Sequence, residues 1–181
     1  MKEKVKAMNQ IDSDLQQKKA HTCAITGMRP HKLPFREGDA YHIEIMRKMK
    51  DEILAAVKRG YTTFLSGGAM GPDLWYAETV HELKWEYPSI KLALLLPCET
   101  QANRWPEHWR ERYFNTLAHA DDVTYISRAY TPSCMHERNR ALVDRSSLLL
   151  AVYDSISEGG TKYTMDYAKK RGVEIRQLIA L

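Results

Sequence analysis

A chain of 181 residues has the length of one domain, or one domain with a tail, and can bury a true core. Its 44% hydrophobic residues are ordinary for a globular protein. Its formal charge of +4 comes from basic residues interleaved with acids rather than massed in a run. Composition therefore excludes a membrane span and gives no reason to require nucleic acid, while leaving room for an anionic ligand. The three cysteines, Cys23, Cys98 and Cys134, lack metal spacing. Their odd number, without a signal peptide, fits free thiols in the cytoplasm.

Residues 1–20 are rich in Lys, Gln and Asp and read as a polar N-terminal arm, so the domain is placed at 21–181. From there strand and helix patterns alternate. Residues 21–26 predict a strand running into Gly27, and residues 39–59 a helix with Ile43, Met46, Ile53 and Val57 on one face. Residues 61–65 predict a strand entering the turn Ser66-Gly67-Gly68-Ala69-Met70-Gly71-Pro72-Asp73, where Pro72 suits the first turn of a helix reaching Tyr87, with Tyr76, Val80, Leu83 and Tyr87 on one stripe. The run at 90–96 is too continuously apolar for a half-exposed strand and belongs in a sheet covered on both faces. A helix over 104–118, a strand at 123–126, a helix over 135–145 and a buried strand at 147–153 follow. Gly159-Gly160-Thr161 then opens a helix over 161–171, and a last strand spans 173–178. This order predicts a single three-layer α/β domain with a mostly parallel sheet and helices on both faces.

In such a sheet, ligands bind beyond the carboxyl ends of the strands, near the point where strand order reverses. Five loops emerge there, carrying Thr26 to His31 with Gly27 and Arg29; Ser66 to Asp73; Pro97 to Gln101; Ser127 to Asn139 with Arg138; and Asp154 to Thr161. Glycines between a strand and a helix let backbone amides approach a ligand, and the helix start adds unpaired N–H groups. Asp73, in the first turn of its helix, repels phosphate but can accept bonds from ribose hydroxyls. Gly159-Gly160-Thr161 has a neutral cap followed by Lys162, so phosphate belongs there. The alternative is that Asp73 is only a cap and both glycine pairs are only tight turns. Arg138 stands at a helix start against the dipole, which an anionic ligand explains, or a salt bridge to Glu137 or Asp144. His31 and His136 are single loop or surface histidines, and no metal site is expected. Trp105, Trp109, Tyr113 and Phe114 follow helical spacing and read as core packing or an oligomer face, with Gln101 near enough to reach a ligand.

The motifs Ile25-Thr26-Gly27-Met28-Arg29-Pro30, Ser66 to Asp73, Pro97 to Gln101 with Trp105, Arg138-Asn139 and Gly159-Gly160-Thr161 occur in this order. The pattern resembles the YpsA-like family of the SLOG superfamily, a Rossmann-like group related to the DNA-processing protein DprA and the LOG phosphoribohydrolases. The resemblance implies binding or sensing of a nucleotide-related small molecule: NAD, ADP-ribose or a mononucleotide. The ligand-binding set is then Thr26, Gly27, Arg29, Ser66, Gly67, Gly68, Ala69, Asp73, Pro97, Gln101, Arg138, Asn139, Asp154, Gly159, Gly160 and Thr161. A LOG-type N-glycosidic hydrolase is the alternative, but Tyr163 and Thr164 stand where its glutamates would be, leaving Asp73, Glu99 and Asp154 as nearby acids. DprA-like single-stranded DNA binding ranks third, because Glu107 and Glu111 interrupt the basic residues beside Trp105 and Trp109. The expected partner is thus a small-molecule nucleotide. A homo-oligomer is allowed, and neither nucleic acid nor a membrane is expected.

Overall fold

The computed structural model describes residues 2–179, with side chains from Gln10 onward; Met1 of the arm and the last two residues of the domain lie outside. Helix α1 (Lys2–Ala20) precedes strand β1 (Thr22–Gly27) and helix α2 (Ala40–Lys58). There follow β2 (Thr63–Ser66), α3 (Pro72–Leu83), β3 (Lys91–Cys98), α4 (Glu107–His119) and β4 (Asp122–Ser127). The chain closes with α5 (Cys134–Asp144), β5 (Leu148–Val152), α6 (Gly160–Lys170) and β6 (Glu174–Gln177). The six strands form one parallel sheet in the order β4-β3-β2-β1-β5-β6. The chain moves outward from β1 to β4, then returns to place β5 against the other side of β1. Strand order therefore reverses between β1 and β5.

Side-chain alternation in the strands builds the three layers. Cys23, Ile25, Leu92, Leu94, Leu96, Leu148 and Leu150 face α2, α3 and α4. Ala24, Ala93, Leu95 and Leu149 face Leu142 and Val143 of α5 and Ala168 of α6. With both faces covered, β3 and β5 can be apolar without a break, because every side chain leaves water for a helix layer. The free cysteines are all buried, and burial pushes the Cys23 thiol up to about 12, which makes it a core residue rather than a nucleophile.

Several element details differ from the pattern-based expectation. The inward stripe of α2 is Ile45, Met49, Ile53 and Ala56, while Ile43 points to solvent and Met46 and Val57 pack at the stripe's edges. Helix α3 stops at Leu83. The expected stripe of Tyr76, Val80, Leu83 and Tyr87 packs into the core, but burial of nine of the twelve residues extends well beyond that stripe. Trp109 and Tyr113 are core residues, whereas Phe114 is half exposed. The polar arm forms one helix to Ala20. Thr22 Oγ1 donates to the Lys18 carbonyl (2.8 Å) and Ser147 Oγ to the Ala20 carbonyl (3.0 Å), fastening its C-terminal end. No described helix is long and apolar enough to cross a membrane.

Candidate functional site

A crevice of ≈ 190 Å³ opens where strand order reverses. The end of β1 supplies Thr26 and Gly27, and the following loop adds Arg29 and, on a single 3₁₀ turn, Lys32. That loop is anchored away from the crevice by Glu37, which accepts from Trp75 Nε1 (3.0 Å) and Arg112 Nη1 (2.6 Å). The opposite wall is the β5–α6 loop with Gly159, Gly160 and Thr161. Ala69 and Asp73 come from the β2–α3 turn, and Arg138 and Asn139 from α5. Sequence reasoning did not place Lys32 or Tyr153 here, although both line the crevice; Met28, Met135, Ser157 and Glu158 lie on the loops it gathered, and Lys162 follows the cap to which it assigned phosphate. Lys32 is an ordinary surface lysine by type, and only the packing of its loop against the start of α6 brings it to the crevice.

The two glycine turns have different geometries. A Cβ at Gly67 would overlap the Arg138 guanidinium and stand 2.8 Å from Asp73 Oδ2, so the missing side chain makes room for an arginine. Gly68 has φ of +62° and its carbonyl accepts from Gln101 Nε2 (2.9 Å). Ser66 Oγ accepts from the Gly68 amide and donates to the Asp73 carbonyl, and this internal bonding closes the turn. Gly159 and Gly160 are open by contrast. Cβ atoms there would meet only Lys32 Nζ and Asn139 Nδ2 respectively, each at 3.6 Å. A side chain at either glycine would thus meet only a polar side-chain tip at ordinary contact distance. The structure brings Thr26, Gly27, Arg29, Ala69, Asp73, Arg138, Asn139, Gly159, Gly160 and Thr161 together around the crevice. Ser66, Gly67, Gly68, Pro97, Gln101 and Asp154 lie behind or beside it.

The charges converge with unequal satisfaction. Arg138 Nη1 donates to Asp73 Oδ2 at 3.0 Å, with the two side chains 7% and 5% exposed. The Ala69 amide also bonds Oδ2 (3.2 Å), and Oδ1 makes neither contact. Arg138 therefore pairs with Asp73 rather than with Glu137 or Asp144. Arg29 Nη1 and Arg138 Nε are buried with no partner among the described residues. Burial pushes the Arg29 guanidinium below its ordinary value, Asp73 opposes that shift, and Arg138 adds to it. Four cations, Arg29, Lys32, Arg138 and Lys162, line the crevice against two carboxylates, Asp73 and Glu158.

The remaining acids are committed elsewhere. Asp154 Oδ1 accepts from the Ile156 and Ser157 amides (3.0 and 2.8 Å) and Oδ2 from Ser157 Oγ (2.5 Å), bonds that hold its carboxyl below the usual range. These bonds shape the loop on which Ser155 adopts φ of +66°, an uncommon conformation for a non-glycine residue. Gln177 Nε2 steadies it through Ser155 Oγ (2.7 Å) and the Tyr153 carbonyl (2.8 Å). Glu99 lies on the β3–β4 side near Arg128. Thr164 is buried, its hydroxyl donating to the Gly160 carbonyl (2.7 Å).

A doubly wound parallel sheet with a cation-lined crevice at its reversal point defines a Rossmann-like α/β protein. The chain belongs to the YspA SLOG family, whose YpsA model matches residues 23–179. It is 36% identical over 152 residues to UPF0398 proteins of Bacillus anthracis (strain A0248) and Bacillus thuringiensis (strain Al Hakam), covering 82% of this chain and 83% of each relative. Among solved structures it is similar in fold to DNA processing protein A of Helicobacter pylori. The TM-score is 0.58 at 16% identity, over 91% of this chain and 67% of that one. A second similar fold is the X-ray structure of TM1055, with a TM-score of 0.53 at 13% identity over 85% and 71% of the two chains.

The Helicobacter pylori protein is described for its single-stranded DNA binding mode, and this corrects the expectation that set nucleic acid aside. A modest net charge with interleaved acids is a poor guide to strand binding. A few locally concentrated cations can hold backbone phosphates whatever the total charge.

Proposed function

We propose that the crevice between β1 and β5 binds a nucleotide-related ligand, of the NAD, ADP-ribose or mononucleotide class, through its phosphate. One observation carries the reading: Arg29 Nη1 is buried and unpartnered at the same crevice as the open start of α6. A buried guanidinium donor without an acceptor is costly unless an anion meets it, and helix-start amides favour the same charge. Asp73, held on its Oδ2 side by Arg138 and Ala69, offers Oδ1 to a ribose hydroxyl. The binding unit is the domain at 21–181, and its buried free thiols fit a cytoplasmic setting.

Ligand at about a hundred times its dissociation constant is expected to stabilise the fold by roughly 2.7 kcal/mol. A thermal-shift screen with NAD, ADP-ribose and AMP measures this, with Arg29→Ala as the control that abolishes the shift. No rise with any of the three at millimolar concentration sinks the reading.

The fold shared with a single-strand-binding protein favours a second reading, in which the same cations hold a backbone phosphate. An oligonucleotide bound at least about tenfold more tightly than AMP, with a steep salt dependence, would move the function to strand binding. Hydrolysis would need Asp73 or Glu158, the two carboxylates at the crevice. Release of free base from AMP, lost in Asp73→Asn or Glu158→Gln, would establish it.

A further inference from the structure

We propose that His136 and Tyr163 form a base-stacking platform at the rim of this crevice, so that the ligand is a nucleotide whose phosphoribosyl end is enclosed and whose aromatic base lies outside. The inference rests on the phosphate-binding reading above. The first observation is size. Pockets that enclose a whole small ligand run from about 300 Å³ upward, and this one holds ≈ 190 Å³. Its enclosed space suits a phosphate with an attached sugar, and because the crevice is open to solvent a base can extend beyond it.

The second observation is an aromatic pair whose chain neighbours, Met135 and Lys162, line the crevice. The rings of His136 and Tyr163 pack edge to face with centroids 4.9 Å apart and planes at 80°, and both residues are exposed, Tyr163 at 37%. The pair bridges α5 and α6, the two helices whose N-terminal halves supply Arg138, Asn139 and Gly160 to the crevice. Tyr163 lies one turn after Gly160 on the same helix face. Side chains on a helix lean toward its N-terminus, so the ring reaches back toward the glycine and the crevice mouth. Met135, the residue before His136, is itself part of the lining. Two rings at right angles form a corner in which a flat base gains face contact with one ring and edge contact with the other. Neither ring belongs to the hydrophobic core, and stacking on the pair needs no hydrogen-bond reading of the base. The platform therefore discriminates nucleotides from sugar phosphates more strongly than one base from another.

Calorimetric titration of the full chain with AMP, ribose 5-phosphate and inorganic phosphate tests this. AMP is expected to bind more tightly than ribose 5-phosphate by roughly five- to a hundredfold, the range for one stacked base. Most of that advantage should vanish in Tyr163→Ala and fall in His136→Ala, yet survive in Tyr163→Phe, with ribose 5-phosphate bound within about twofold of the original affinity throughout. If ribose 5-phosphate binds and AMP gains nothing, or the gain survives Tyr163→Ala with His136→Ala, the platform is refuted while the phosphate site stands. If none of the three binds, the crevice reading fails and the platform with it.

Discussion

Gly27→Ala is expected to destabilise the protein by about 3 kcal/mol and lower its melting temperature by roughly 10 °C, whereas Gly160→Ala should fold as well as the original chain. At Gly27 an added Cβ would overlap the ring of Pro72, the first residue of α3. A proline ring cannot rotate away. Pro72 is buried at the start of a helix that is itself buried on nearly every side, so relief requires β1 or α3 to shift. The cost falls on the contact that sets the crevice floor. At Gly160 the added methyl meets only Asn139 Nδ2 at 3.6 Å, an ordinary contact, and alanine is the better helix former. Gly160→Ala should nonetheless weaken phosphate binding, because its Cβ stands over the open amides of α6. Urea denaturation of both variants, followed by AMP titration of Gly160→Ala, checks the pair. Equal midpoints for Gly27→Ala and the original chain would remove the steric argument.

The buried Arg138–Asp73 pair should give the second large effect. Removing one partner strands a charge that is already out of water, and such changes commonly cost about 3–5 kcal/mol. Asp73→Asn leaves Arg138 without its anion, and Arg138→Leu leaves Asp73 with only the Ala69 amide on Oδ2. Both single variants should unfold at clearly lower urea. The double variant should lose less than the two single losses together, because neither charge is then stranded. Single losses under about 1 kcal/mol would mean that solvent or a displaced partner already satisfies the pair. In folded Asp73→Asn protein, ligands with a ribose diol should weaken while inorganic phosphate binding is kept. Tighter phosphate binding with ribose recognition unchanged would assign Asp73 to scaffolding alone.

Much of the fold was legible because its strands carry their environment in their composition. The unbroken apolar runs of β3 and β5 can exist only between two helix layers, and the alternation of strand and helix dictates parallel pairing. Helix ends were legible where glycine or proline punctuates them, as at Gly60, Pro72 and Gly172. Helix α3 was legible at its start and along its Tyr76, Val80 and Leu83 stripe. Its end at Leu83 and the burial of its other faces were not, because a helix covered nearly all round carries apolar residues outside any one stripe. The single turn at Pro30–Lys32 carried no periodic signal at all.

The sequence by itself determined which loops gather at the carboxyl end of the sheet, and so which short segments could share a site. Topology follows from local pattern plus the handedness of parallel crossovers. Only the tertiary structure decided how those segments divide the work. The two glycine turns look alike as strings, yet Gly67 makes room for the Arg138 guanidinium while Gly159 and Gly160 face open space. Arg138 could pair with Glu137, Asp144 or a ligand on sequence grounds, and it meets Asp73, sixty-five positions away in the chain. Lys32 gave no signal because a lysine's role depends on what it faces, not on its neighbours in sequence. The reason is physical: backbone preferences act over a few residues, whereas desolvation and charge pairing depend on distances that exist only once the sheet has brought its loops together.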